Sequence, residues 1–435
     1  MMEKSSKNLV IIGFALFAMF FGAGNLIFPP FLGRLVGTNF LTAMIGFLIT
    51  GVGLPLCGVI ACAKINGTFS DMASKVGKKF SIISTTALIL AIGPMLAIPR
   101  TAATTFELSI RPIFPFISPT VSSVIYFCVA LVFVLKPSSI VDNIGKILTP
   151  GLLIMLSVII IKGIISPIGT IGQTAAQGVF TKSMLEGYQT MDAMASVIFA
   201  SIVITTVKAK GYKEPKEITM ATIKSAMVAV VGLAFVYGGL MYLGSQTTSL
   251  VPEDVSRTEL LTTIVKMDLG SIGSIVLGLC VALACLTTAI GLLSTGSDFF
   301  NKNIFKEKVS YNTIAITMAV ISAILAVKGV DQIVKLSVPI LNILYPIVIV
   351  LIIMTLMGKL VKSHRVVKVT TYVTAIISVL DTINGLGNFN AIKGILKMIP
   401  LSDKGFAWLV PTVIAFLIAS LLFKREDNEI ISKRV

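Results

Sequence analysis

"FFGAGNLIFPP", residues 20–30, sets two glycines, an asparagine and a pair of prolines in the middle of an apolar stretch. The flanking residues read as membrane helix, and a break there leaves peptide groups without helical partners. At membrane depth such groups are tolerated only where protein or a water-filled cavity satisfies them. The break therefore implies a site.

That the stretch lies in a membrane follows from composition. Of 435 residues 55% are hydrophobic and 13% charged, and mean hydropathy is +0.95, whereas soluble domains are about a quarter charged. Apolar runs long enough to cross a hydrocarbon core of about 30 Å recur along the chain. They predict an all-α integral membrane protein with twelve transmembrane helices, at 8–33, 38–62, 81–104, 119–136, 141–163, 178–207, 217–244, 271–297, 309–331, 334–358, 365–384 and 406–423. The first apolar stretch is too long for a signal peptide and no small-residue cleavage site follows it, so it is expected to stay attached.

With the N-terminus inside, the cytoplasmic loops carry about twice as many basic residues as the outer ones. Lys4, Lys7, Lys136, Lys146 and the tail from Lys424 to Arg434 contribute to this excess. Both termini are thus expected in the cytoplasm of a cell-membrane protein. The net charge of +16 then reflects topology and attraction to anionic headgroups, and requires no nucleic acid. The longest outer loop, 245–270, contains "TELLTTIVKM" (258–267), which reads as a short amphipathic helix lying at the interface. All five cysteines fall inside the spans and suggest no disulfide framework. The single histidine, His364, sits in a basic loop, which argues against a His-based relay or metal site.

Polar groups at bilayer depth cost free energy and tend to be functional. A second break stands out in span six, where "EGYQTMDAMA" (186–195) crowds Glu186, Gln189, Thr190 and Asp192 around Gly187. The breaks lie five spans apart. An odd number of spans per half inverts the second half relative to the first, and paired interruptions in inverted halves point to a transporter site at the midplane. The expected organisation is a first repeat over 1–165, a second over 166–360, and peripheral spans with a tail over 361–435.

Such breaks can hold a zwitterion and a cation together. Freed N–H groups near Ala23, Gly24 and Asn25 offer positive dipole ends to a carboxylate, while carbonyls near Ala18 and Phe21 face an ammonium or metal ion. Met19, Phe20, Phe21, Ile27, Tyr188, Met191 and Met194 make the surroundings apolar. In span eight, Thr287 and Thr288 follow Ala284 by three and four residues, so one helix face offers two hydroxyls and a carbonyl. These are hard oxygen ligands suited to Na⁺, although threonine pairs also bond back to their own helix.

"FGAGNLIFPP", "EGYQTMDAMA" and "CLTTAIGLL" together resemble the branched-chain amino acid:cation symporter family, the BrnQ-type carriers. Those carriers have the LeuT-like 5+5 inverted-repeat fold of the APC superfamily, with discontinuous helices 1 and 6 and two extra helices. Ser183 and Met184 stand where the family pattern has a Gly-Phe pair. The resemblance implies uptake of leucine, isoleucine and valine by symport with Na⁺, or in some members H⁺, with no other cofactor. It puts Phe20, Ala23, Gly24 and Asn25 at the substrate, with Gly187, Tyr188, Thr190 and Asp192 opposite. Ala18, Phe21, Ala284, Thr287 and Thr288 would surround Na⁺.

The acids keep alternative readings. Asp192 or Glu186 pairs the substrate ammonium or binds a proton; alternatively Asp192 caps the helix beginning at Ala193. Arg100 either gates by pairing with an acid or snorkels from the outer end of span three. "DTINGLGNFN" (381–390) reads as an outward-facing loop. A channel would want rings of like charge or a repeated filter, which the spans lack, and an enzyme convergent acid, base or metal groups, of which the spans hold none apart from Glu186 and Asp192.

Overall fold

The computed structural model describes residues 6–423 apart from 137, 138, 253, 362 and 388, with only the backbone described at 139–149. Lys4, the side chain of Lys146 and the basic tail from Lys424 thus lie outside the described residues. Every regular element among those described is helical. The first nine helices are α1 (Ser6–Phe20), α2 (Ala23–Val36), α3 (Phe40–Leu48), α4 (Leu54–Ile65), α5 (Phe69–Ser74), α6 (Lys78–Leu90), α7 (Ala97–Thr105), α8 (Pro119–Leu135) and α9 (Ser139–Ile165). Six follow: α10 (Val179–Tyr188), α11 (Asp192–Ala209), α12 (Pro215–Ser245), α13 (Arg257–Phe299), α14 (Tyr311–Ala326) and α15 (Val330–Met357). The chain ends with α16 (His364–Gly387), α17 (Asn390–Lys397) and α18 (Leu409–Leu422).

Seven helical runs among the described residues are long and apolar enough to cross a membrane, and shorter apolar helices such as α1, α8, α14 and α18 accompany them. Their outer surface is greasy: Ile83 is 68%, Ile272 78% and Leu421 84% exposed. The interior instead holds Asn25, Arg100 and Asp192, none more than 3% exposed. Polar inside and apolar outside is the arrangement lipid favours and water penalises.

Small residues let the helices approach closely. A Cβ at Gly33 would lie 1.9 Å from the Met241 carbonyl oxygen, and one at Gly244 would lie 1.9 Å from the Pro30 carbonyl oxygen. The α2 and α12 backbones thus cross through reciprocal glycines, as tightly packed membrane helices do. Both α1 and α2 pack on α12, while α10 packs on α3 and α11 on α4. Each interrupted pair is thus braced by helices remote from it in sequence.

Three sequence expectations need correcting. The 258–267 segment is helical but does not lie at the lipid interface: Leu260, Leu261, Ile264 and Val265 are all fully buried in protein. It forms the first turns of α13, bent at Gly270, whose φ of 72° suits glycine. Residues 381–387 continue α16 as helix and are not a loop. Span three is kinked at a π-helical turn over Ala91–Met95 that contains Gly93 and Pro94, then continues through α7 and a second π-helical turn to Ile110. A proline N cannot donate to the ladder, which accounts for the kink. This extension draws Arg100 into the interior.

Candidate functional site

The first interruption is short. α1 stops at Phe20, whose successor Phe21 still donates its N–H to the Phe17 carbonyl at 2.8 Å, and α2 starts at Ala23. Extended backbone at Gly22 turns the chain, and Gly22 N–H is satisfied by Asn25 Oδ1 at 3.0 Å. The second runs over residues 189–191. Gln189, Thr190 and Met191 donate to carbonyls three residues back, and Met191 takes a left-handed φ of 63° before α11 begins. A side chain in that conformation costs roughly 1–2 kcal/mol, which the surrounding packing must offset.

Asn25 ties the two interruptions together. Its Nδ2 donates to Asp192 Oδ2 at 2.9 Å and also to the Tyr237 hydroxyl of α12. Tyr237 in turn donates to the same Asp192 oxygen at 2.5 Å. Asp192 is thus held by two neutral donors from α2 and α12. The capping alternative for Asp192 fails, because α11 begins at Asp192 itself after Met191, and the side chain that accepts an N–H there is Thr190, whose Oγ1 takes the Asp192 N–H at 3.3 Å. The carboxylate reaches across the bundle instead.

Arg100 approaches from α7. Its Nη1 donates to the Gln189 carbonyl oxygen at 2.7 Å, its guanidinium lies 5.2 Å from the centre of the Phe28 ring, and Nε has no partner. At 3% exposure it does not snorkel to an interface. A Cβ on Gly24 would meet Arg100 Nη2 at 2.7 Å, so the glycine leaves the guanidinium room against the first turn of α2. Phe28 also faces Arg257 at 5.6 Å, and Arg257 pairs with Asp331 at 2.6 Å. Phe28 is therefore clasped between two arginines beside the cavity.

These groups surround a cavity of about 40 Å³ whose walls include Phe20, Ala23, Asn25, Arg100, Thr190 and Asp192. Gly24 sits behind this wall against Arg100. Gly187 and Tyr188 do not line it: a Cβ on Gly187 would lie 2.0 Å from Thr50 Oγ1, and Tyr188 stacks on Tyr345 with ring centres 4.2 Å apart. Glu186 is not a wall residue either, and its Oε2 is buried without a partner. A second cavity of about 530 Å³, mostly apolar, shares Met19, Phe199 and Thr288 with the first. Its walls carry all of Ala18, Phe21, Ala284, Thr287 and Thr288. The Thr287 and Thr288 hydroxyls both donate to the Ala284 carbonyl oxygen, at 2.9 and 3.0 Å. Among the described residues no donor bonds to either hydroxyl oxygen, whereas the Ala284 oxygen accepts both hydroxyls.

Sequence reasoning missed Tyr237 and the interior position of Arg100. Tyr237 is a hydroxyl-bearing residue within span seven, two turns from its end, and a census of uncharged polar groups along the spans would have found it. Ending span three at 104, when the helical run continues to Ile110, put Arg100 near its outer end.

Helix interruptions meet here at a charged, buried pocket inside an apolar bundle, an arrangement of the LeuT-like fold. Solved structures agree on the fold. The inward-facing conformation of Mhp1 matches with a TM-score of 0.63 and 14% identity, covering 94% of this chain and 90% of that one. A structure described as a Na⁺-coupled sialic acid symporter matches at 0.57 and 15% identity, covering 96% and 91%. The family described as "Branched-chain amino acid transport protein" matches residues 5–426, and the chain belongs to it. Among its relatives, the branched-chain amino acid permease BraB of Bacillus subtilis is 38% identical, over 96% of this chain and 95% of its own. A putative branched-chain amino acid carrier protein of Staphylococcus haemolyticus is likewise 38% identical, over 98% and 100%.

Proposed function

We propose that this protein imports leucine, isoleucine and valine across the cell membrane by symport with Na⁺. The observation that carries the reading is the convergence of both helix interruptions, through Asn25 and Asp192, on one small cavity beside a larger apolar one. Phe20, Ala23, Asn25, Thr190 and Asp192 contact the amino acid, with Gly24 supporting them and Gly187 and Tyr188 acting from behind the wall. Apolar walls separate ligands that differ by one methylene by only about 1–3 kcal/mol, so specificity for the aliphatic group as a whole is the natural outcome.

The reading takes α1 with α2, and α10 with α11, as the two halves of discontinuous spans one and six in a twelve-span chain. Repeats over 1–165 and 166–360 are supported by the exchanged packing, in which the first pair leans on α12 and the second on α3 and α4. With both termini in the cytoplasm, the larger cavity, lined by Ile11 and Thr206, faces inward. Phe28 and the Arg257–Asp331 pair then close the outer side.

Na⁺ would sit beside Thr287 and Thr288, near the Gly22 break: a Cβ on Gly22 would meet the Thr288 side chain at 3.8 Å. One observation favours H⁺ as the second reading. The Ala284 oxygen already accepts two hydroxyls, while Asp192 offers a buried carboxylate at the break. Uptake of labelled leucine into proteoliposomes under an imposed Na⁺ or pH gradient separates the two. Accumulation driven by Na⁺ alone supports the first, accumulation driven by pH alone supports the second, and equilibration without accumulation refutes coupled transport.

A further inference from the structure

Among the described residues Arg100 and Asp192 are the only charged side chains on the wall of the small cavity; they attract each other across it, but no direct ion pair joins either to an opposite charge. A buried ion whose opposite charge is held at a distance is only partly compensated, and leaving such a charge unpaired is costly. Two such ions facing one space suggest that the counter-ions arrive with the ligand.

Resting on the transport reading above, we propose that Arg100 receives the carboxylate and Asp192 the ammonium of the substrate, so that the cavity reads both charged ends of a zwitterionic α-amino acid. The guanidinium spends Nη1 on the Gln189 carbonyl and keeps Nε unpartnered. It lies against Gly24 in the first turn of α2, where the helix dipole is positive and N–H groups lack intrahelical acceptors. An anion there meets a guanidinium and a helix start together. On the other side, Asp192 Oδ2 is held by Asn25 and Tyr237, both neutral. These donors fix the carboxylate and leave its charge to be matched by an ammonium. Between the ends, Phe20, Ile92, Phe199 and Leu292 supply apolar wall. About 40 Å³ is far below the roughly 300 Å³ at which ligand pockets begin. Binding must therefore widen the cavity through the shared residues Met19, Phe199 and Thr288.

The test is competition against labelled leucine by leucinamide, which keeps the ammonium, and by 4-methylpentanoate, which keeps the carboxylate. Purified wild type, Arg100→Gln, Arg100→Lys and Asp192→Asn are compared. Truncating one partner of a buried charge pair changes affinity by about 30-fold or more. Wild type is expected to prefer leucine to both analogues by at least that factor. In Arg100→Gln leucine weakens while leucinamide hardly changes, so their ratio falls towards one; Arg100→Lys recovers part of the difference. In Asp192→Asn the same collapse occurs between leucine and 4-methylpentanoate.

Equal weakening of leucine and leucinamide in Arg100→Gln would assign that residue a structural role and overturn the proposal. Wild type that accepts leucinamide as readily as leucine overturns it without any variant, should Arg100→Gln not fold. Wild type that binds none of the three ligands sinks the transport reading itself, a result distinct from leucine binding that is indifferent to Arg100.

Discussion

Replacing Gly187 by alanine sets a methyl group 2.0 Å from Thr50 Oγ1 and 3.1 Å from both the Gly51 nitrogen and the Phe47 carbonyl oxygen. Two of these three neighbours are backbone and cannot swing aside. Overpacking of this kind costs about 1–3 kcal/mol, and the rigid surroundings put Gly187→Ala at the upper end. Thr50→Ala alone removes the nearest atom but gives up the hydroxyl bond to the Met184 carbonyl, at 2.8 Å, for a loss of about 1 kcal/mol. In the double variant only the 3.1 Å contacts remain. The pair should therefore destabilise by about 1–2 kcal/mol less than the sum of the single changes, a coupling within the usual range for residues in contact. Unfolding of the four proteins in one detergent, with leucine binding measured on each, gives the cycle. Additive losses would refute the packing argument. So would a Gly187→Ala protein of unchanged stability that no longer binds leucine, since that result makes Gly187 a ligand contact.

Asn25→Ala removes the donor that links the interruptions; at about 1.5–3 kcal/mol for a bond to a charged group, leucine affinity should fall by about 10- to 100-fold, measurable by equilibrium binding. Thr287→Ala combined with Thr288→Ala should abolish Na⁺ stimulation of leucine uptake in proteoliposomes, and unaltered stimulation would rule out the ion site. Gly33→Ala, which drives a methyl into the Met241 carbonyl, should sharply lower the yield of monodisperse protein on size exclusion. Gly385→Ala in α16, with nothing within 4 Å of the new Cβ, should match or exceed wild type, by up to about 1 kcal/mol of helix propensity.

Much of the fold was legible because lipid imposes a simple rule: long apolar runs become helices, and breaks in them need a reason. Both interruptions were visible as local anomalies, since glycines, Asn25 and Asp192 are conspicuous among leucines and phenylalanines. What could not be read was which distant groups close on them. Tyr237 reaches Asp192 from 45 residues along the chain, and no local pattern encodes that meeting. Gly187 looked like a ligand-facing glycine because it stands in the polar run, yet its small size serves the approach of α10 to the turn before α4. Met191 takes the left-handed turn where glycine would be expected, so the sequence gives no sign that the bend falls there. Arg100 was misplaced because span three was ended at 104 while the helical run continues to Ile110, so a residue well inside the run was put near its outer end.

The most direct measurement is an experimental structure with leucine bound. The account predicts ligand density between Asn25, Arg100 and Asp192, where α2 and α11 begin, in a cavity wider than the present one. Density elsewhere in the bundle, or unbroken helix through residues 20–23 and 188–192, would contradict it.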